Sequence, residues 1–153
     1  MAAGAWQTYH LAKKKIGNGT ISLAATVFRL SLYRGSSDAG TLTANSVISQ
    51  FSSEVTEANG YSSSGKAMTG EVWTVGASAG SYKYDADDVF WSANGGNISA
   101  IKFAVIWLSA ASAGGRHVLC KSTLSASAFS ISTGNRLTIQ MNSSGILTLA
   151  QTN

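Results

Sequence analysis

The stretch SYKYDADDVFWSANGG, residues 81–96, gathers the densest reactive chemistry in the chain: Asp85, Asp87 and Asp88, flanked by Tyr82, Tyr84, Phe90 and Trp91. Clustered carboxylates can hold a hard cation such as calcium through several oxygens at once. An EF-hand loop needs a glycine at its sixth position and an acid at its twelfth. Counted from Asp85, those places hold Phe90 and Gly96, so that loop is excluded. An irregular oxygen cage is the cation chemistry left open. The competing reading is a polar turn, with Asp85 ending one strand, the acids accepting nearby backbone amides, and Val89 and Trp91 resuming the next strand. The turn is the expectation adopted, with no metal assigned.

Three other patterns approach a known chemistry and fall short. GYSSSGKA, Gly60–Ala67, has the spacing of a phosphate-binding loop, but Ala67 stands where a hydroxyl should hold magnesium, and the residues after it read as strand rather than helix. GASAG, Gly76–Gly80, matches a nucleophile elbow around Ser78, and Asp85, Asp88 and His117 come after it in hydrolase order. That elbow needs a helix after it, whereas SYKYDADD continues as strand and turn. His117 and Cys120 are three apart on an expected strand and should face opposite sides, and only His10 remains to complete a zinc site. No acid, base, nucleophile and oxyanion set converges. The chain is therefore expected to be non-enzymatic, with no catalytic residue and no cofactor.

The elements that position these residues are strands. In VFRLSLYR, Phe28, Leu30 and Leu32 alternate with Arg29 and Ser31, as in a half-buried strand. ISAIKFAVIWLSA places Ile101, Phe103, Val105 and Trp107 on one face and is the candidate central core strand. Further strands are predicted over Gly70–Val75, Ser81–Tyr84, Val89–Trp91, His117–Thr123 and Phe129–Ser132. Leu137, Ile139 and Met141 alternate up to the turn signal NSSG, after which ILTLA returns, predicting a C-terminal β-hairpin. Val47, Ile48, Phe51 and Val55 fall at helical spacing and predict a helix over residues 43–55. The expected fold is all-β: a single-domain β-sandwich or jelly-roll-like barrel over residues 19–153, preceded by an extended N-terminal arm over residues 1–18.

Composition narrows the function. Only 12% of residues are charged, which leaves a surface of Ser, Thr, Asn, Ala and Gly suited to an assembly. The net charge of +4 rests largely on Lys13, Lys14 and Lys15, a cluster too short for the broad basic stripe of a nucleic-acid binder. In the arm, Trp6 and Tyr9 are candidate anchors and Lys13, Lys14 and Lys15 candidate contacts to an acidic groove of a partner. A lone Cys120 forms no internal disulfide and fits a reducing cytoplasm. The opening MAAGAWQTYHLAKKK reverses the order of a signal peptide, and no apolar run is long enough to span a bilayer, so neither secretion nor a membrane is expected. Without secretion the sequons at Asn18, Asn97 and Asn142 are incidental. The chain has no proline, a usual guard of edge strands, so its edges are expected to be covered by another subunit.

The order NGYSSSGKAMTG, EVWTV, YKYDADDVFWSA and ISAIKFAVIW, Asn59 to Trp107, resembles a pattern in small β-rich structural proteins of tailed bacteriophages. There a glycine-rich loop leads to a strand, an Asp-Ala-Asp-Asp-Val-x-Trp segment and a hydrophobic strand. The C-terminal NRLTIQMNSSGILTLA suits the same group, while Ser64 stands where that pattern has glycine and Trp107 where it has tyrosine. The resemblance implies a virion component without catalysis, assembled in the bacterial cytoplasm: a capsid decoration or cement protein bound to the major capsid protein or other virion proteins, as a homo-oligomer with a trimer favoured. A neck or tail subunit and a glycan-binding fibre-associated module are the alternatives.

Overall fold

The computed structural model describes residues 4–24, 27–43, 47–110 and 113–150. Along the chain lie strand β1 (Gln7–Thr8), helix α1 (His10–Gly17), then β2 (Phe28–Arg34), β3 (Lys66–Ala67), β4 (Val72–Val75), β5 (Tyr82–Asp85) and β6 (Val89–Ser92). After these come β7 (Ile98–Leu108), β8 (Val118–Thr123), β9 (Phe129–Ile131), β10 (Arg136–Ile139) and β11 (Leu147–Leu149). The fold is all-β and sandwich-like. A six-stranded sheet runs in the order β1-β8-β7-β2-β3, with β9 paired to the start of β7; β10-β6 and β11-β5-β4 form two smaller sheets. The sheets stay open, so the barrel alternative does not hold.

As the sequence predicts, β7 is central: it pairs with β2 on one side and β8 on the other, and Ile101, Phe103, Val105 and Trp107 are buried. Ala104 and Ile106 on its other face are buried as well, and so are Ser31 and Tyr33 of β2. Both central strands are thus covered on two sides. The polar exception, Ser31, is satisfied because its Oγ accepts the Trp107 indole N–H at 2.9 Å. The smaller sheets close over the large one: the rings of Phe28 and Tyr84 lie 5.3 Å apart, and Trp91 of β6 lies 6.0 Å from the loop residue Tyr61, whose hydroxyl accepts the Leu32 amide of β2. Each such buried aromatic contributes about 1.5–3 kcal/mol through burial.

Three expectations are corrected. First, residues 1–18 are not an extended arm where they are described. β1 pairs with the edge of β8 through Gln7↔Lys121 and Thr8↔Cys120, and α1 begins directly after it. Tyr9 is fully buried, its ring 5.5 Å from Phe51 and its hydroxyl donating to the Ala39 carbonyl at 2.7 Å. The chain covers the β8 edge itself, a role expected of another subunit. Second, β10 and β11 do not form a hairpin. The turn exists, with Gly145 N–H donating to Asn142 O, but β10 pairs with β6 and β11 with β5. Residues 82–92 and 136–149 run antiparallel as one long ribbon, interrupted where it passes from one small sheet to the other, as strands do at sandwich corners.

Third, the helix expected over residues 43–55 is a single 3₁₀ turn, Ile48–Gln50, and residues 44–46 lie outside the described set. Pairing with the large sheet wins over helical spacing there. Arg34 N–H donates to Ser53 O, Val55 N–H donates to Leu32 O, and Glu54 bridges Tyr33. The Ser52 amide and hydroxyl both donate to Asp38, fourteen residues earlier, which ties this segment to the 3₁₀ turn after β2.

Candidate partner-binding site

The three clustered aspartates work singly. Asp85 pairs with Lys83 at 2.8 Å and caps the Ala86 amide, Asp87 accepts the Thr69 hydroxyl at 3.0 Å, and Asp88 accepts the Met141 amide at 2.8 Å. One segment thereby ties β5, the loop before β4 and the end of β10 together. Among the described residues, no group of three or more His, Cys, Asp or Glu comes together to hold a metal.

The phosphate-loop resemblance resolves the same way. Ser64 and Gly65 both adopt positive φ, and the loop's amides point at the protein's own carboxylates: Ser64 N–H donates to Glu54 at 2.8 Å, while the Ser63 amide and hydroxyl donate to Glu57. Lys66 enters β3 and donates to the Phe90 carbonyl at 2.6 Å. Its ammonium lies 4.4 Å from the Phe90 ring centre, where Arg136 also packs. Desolvation raises the Glu54 carboxyl above its ordinary range, partly offset by the bonds from Tyr61 and Ser64. Ser78 is turned into the β4–β5 hairpin, where its carbonyl accepts the Ser81 hydroxyl.

His117 meets Lys15 at 3.5 Å and bridges Val47. The strand register shifts between Ile106 and Trp107, opposite Val118 and Cys120. That bulge breaks the alternation behind the expectation that His117 and Cys120 face opposite sides. Cys120 is nevertheless fully buried, and burial pushes its thiol pKa up, away from reactivity.

What the geometry does assemble is a surface at the free end of the β11-β5-β4 sheet. In this sheet Trp73, Tyr84 and Leu147 stand in one cross-strand row, and Val75, Tyr82 and Leu149 in the next row on the same face. The first row faces the core, with Tyr84 fully buried. The second runs beyond it: Val75 is 64% exposed, Tyr82 47% and Leu149 64%. The Tyr82 ring stacks on Trp73 with centroids 6.0 Å apart, holding the two rows together. Beside Leu149 opens a groove of about 330 Å³ lined by Trp73, Leu147, Thr148 and Leu149 from the sheet, Thr8 and Leu23, and Lys13 and Ile16 of α1. An exposed, contiguous apolar surface with a polar rim is the signature of an interaction site.

Of the residues singled out in the sequence, the structure brings only Lys13 to this groove. Lys14 is exposed on the same helix, Lys15 is half-buried against His117, Trp6 is partly buried with its indole nitrogen enclosed, and Tyr9 is core and cannot meet a partner. Trp73, Val75, Tyr82, Leu147 and Leu149 were missed as site residues. The signal was present: Trp73 and Val75, then Tyr82 and Tyr84, keep one alternation right up to the GASAG turn, and the tip of a hairpin projects past any core that could cover it.

Comparison with family models, with curated proteins and with solved structures finds no match to this chain. No helix among the described residues is long and apolar enough to cross a membrane.

Proposed function

We propose that the chain is a non-catalytic structural subunit of a bacteriophage virion, a decoration or cement protein that attaches to the capsid shell as an oligomer, with a trimer favoured. The observation that carries this reading is the exposed row Val75, Tyr82 and Leu149 with the groove beside it, a surface made for burial against another protein. Two further points support it. The resembled segment Asn59–Trp107 spends its chemistry on the fold, with Trp91 buried and each aspartate anchoring a different neighbour. The chain also covers the β8 edge with its own β1, while Val75 and Leu149 remain its most exposed large apolar side chains among the described residues. The test uses particles assembled without the chain. They should lose resistance to heat and osmotic shock and regain it when purified protein is added; particles indifferent to the chain would overturn the reading.

A second reading has its own observation. The half-exposed Tyr82 ring stacked on Trp73 is the kind of aromatic platform on which sugars lie, which favours a glycan-binding fibre-associated module. Binding to a glycan array that is lost in Tyr82→Ala would select it.

A further inference from the structure

The groove beside β11 has a recognisable chemistry. Its floor is apolar, from Trp73, Leu147, Leu149, Ile16 and Leu23, and its rim carries the ammonium of Lys13 with Lys14 exposed on the same helix. Neither lysine has an acidic partner among the described residues, since the lone ion pair there joins Lys83 to Asp85. The negative end of the α1 dipole already favours Lys14, but an unpaired pair of charges beside an apolar slot is an invitation to a carboxylate. All residues of β11 line the groove, including Thr148, whose side chain alternation places on the face opposite Leu147 and Leu149. The groove runs along β11, which among the described residues pairs with β5 alone.

A second copy docking through the same groove brings no carboxylate to it. Each of the chain's seven acids accepts a hydrogen bond from its own neighbours, and none of them lines the groove. Asp38 is bonded to Ser52, Glu54 to Tyr61 and Ser64, Glu57 to Ser63 and Glu71 to the Phe28 amide, while Asp85, Asp87 and Asp88 hold Lys83, Thr69 and the Met141 amide. Two copies meeting through this surface would bring lysine against lysine. Residues 151–153, Gln, Thr and Asn, offer neither an apolar nor an acidic side chain.

We infer that the groove takes an extended acidic segment of a different protein, which lies along the free edge of β11, places a large apolar side chain between Trp73 and Leu149, and sets Asp or Glu against Lys13 and Lys14. This deepens the docking surface of the proposed function and rests on that reading of it; the mode is strand addition, with backbone bonds giving affinity and the groove giving selectivity.

The experiment is a selection of random heptapeptides displayed on messenger RNA, made in solution against the full chain carrying an N-terminal tag. The enriched peptides should combine a large apolar residue with Asp or Glu. Leu149→Asp and Lys13→Glu should each weaken the best of them by about tenfold or more. Both residues are exposed, so both variants should keep the parent's denaturation midpoint, which separates lost docking from lost folding. Lys13→Glu should in addition turn the selection toward basic peptides. Failure to enrich, enrichment without acidic bias, or binding indifferent to both substitutions would overturn the inference. Concentration-dependent self-association abolished by Leu149→Asp would assign the face to a second copy instead. Oligonucleotide binding sensitive to Lys13→Glu but not to Leu149→Asp would assign the lysines to nucleic acid. Because the selection uses no virion, its failure and the failure of the virion reading are separate results.

Discussion

Gly65 is the position where the structure makes its sharpest claim about the SSSGK loop. Its φ is +62°, and a Cβ added there would lie 1.9 Å from the Leu30 carbonyl oxygen and 2.6 Å from Ser31 Oγ, both in the central strand β2. Alanine cannot occupy that space, so in Gly65→Ala the loop must lift away from β2. The loop carries the Ser64 and Gly65 carbonyls that receive Arg29 at 2.9 and 2.8 Å, and the Ser64 amide bound to Glu54. The left-handed backbone alone costs about 1 kcal/mol for alanine. Losing the two guanidinium bonds adds about 1 kcal/mol each after allowing for their partial exposure, so the sum is about 3 kcal/mol. With a urea slope of about 2 kcal/mol per M for a chain of this size, the midpoint should fall by about 1.5 M. Gly80→Ala is the control. Its φ is +75° but a Cβ there meets nothing within 4 Å, so only the backbone cost of about 1 kcal/mol applies and the midpoint should fall by about 0.5 M. Equal shifts for the two variants would refute the claim that the loop is a packed structural element pressed against β2.

Three further outcomes are expected. Glu54 and Glu71 both have carboxyls raised by desolvation, so the folded state holds their protons more tightly than the unfolded chain does. The associated stability is complete below the unfolded value of about 4.3 and is lost as pH rises through the folded values. Urea midpoints between pH 4 and 7.5 should therefore show a component that falls with rising pH and is flattened in the Glu54→Gln, Glu71→Gln double variant. Asp88→Ala should cost about 1 kcal/mol by stripping the Met141 amide of its acceptor, whereas millimolar calcium should leave the parent's melting temperature unchanged, because the aspartates work singly. Cys120 should resist a thiol reagent in the native state and react at the rate of unfolding, as a fully buried thiol with a raised pKa must; rapid native labelling would contradict its burial.

How far the sequence could be read depended on where the deciding interactions lie. Alternation in residues 28–34 and 98–108 correctly marked β2 and the central β7, because burial of one face is enough to set that pattern. It gave no warning that the second faces are covered too. The C-terminal hairpin was misread because a turn signal is local, while the partners of β10 and β11 lie more than forty residues earlier, in β6 and β5. The helix expected over residues 43–55 lost to backbone pairing with β2, and the N-terminal segment looked like an arm because the run Lys13–Lys15 masked the buried Tyr9 and Ala12. At the site, Lys13 was legible as an exposed cation, but the apolar row was hidden: its members sit on separate strands and become neighbours through the β11-β5-β4 register.

The proposed role as a structural part of a virion is tested most directly by the chain's copy number per purified particle, by quantitative mass spectrometry normalised to the portal protein. Hundreds of copies are expected, as a subunit spread over a capsid lattice requires. A dozen or fewer would contradict the decoration assignment and move the chain to the neck, tail or fibre, and absence from particles would contradict the structural reading altogether.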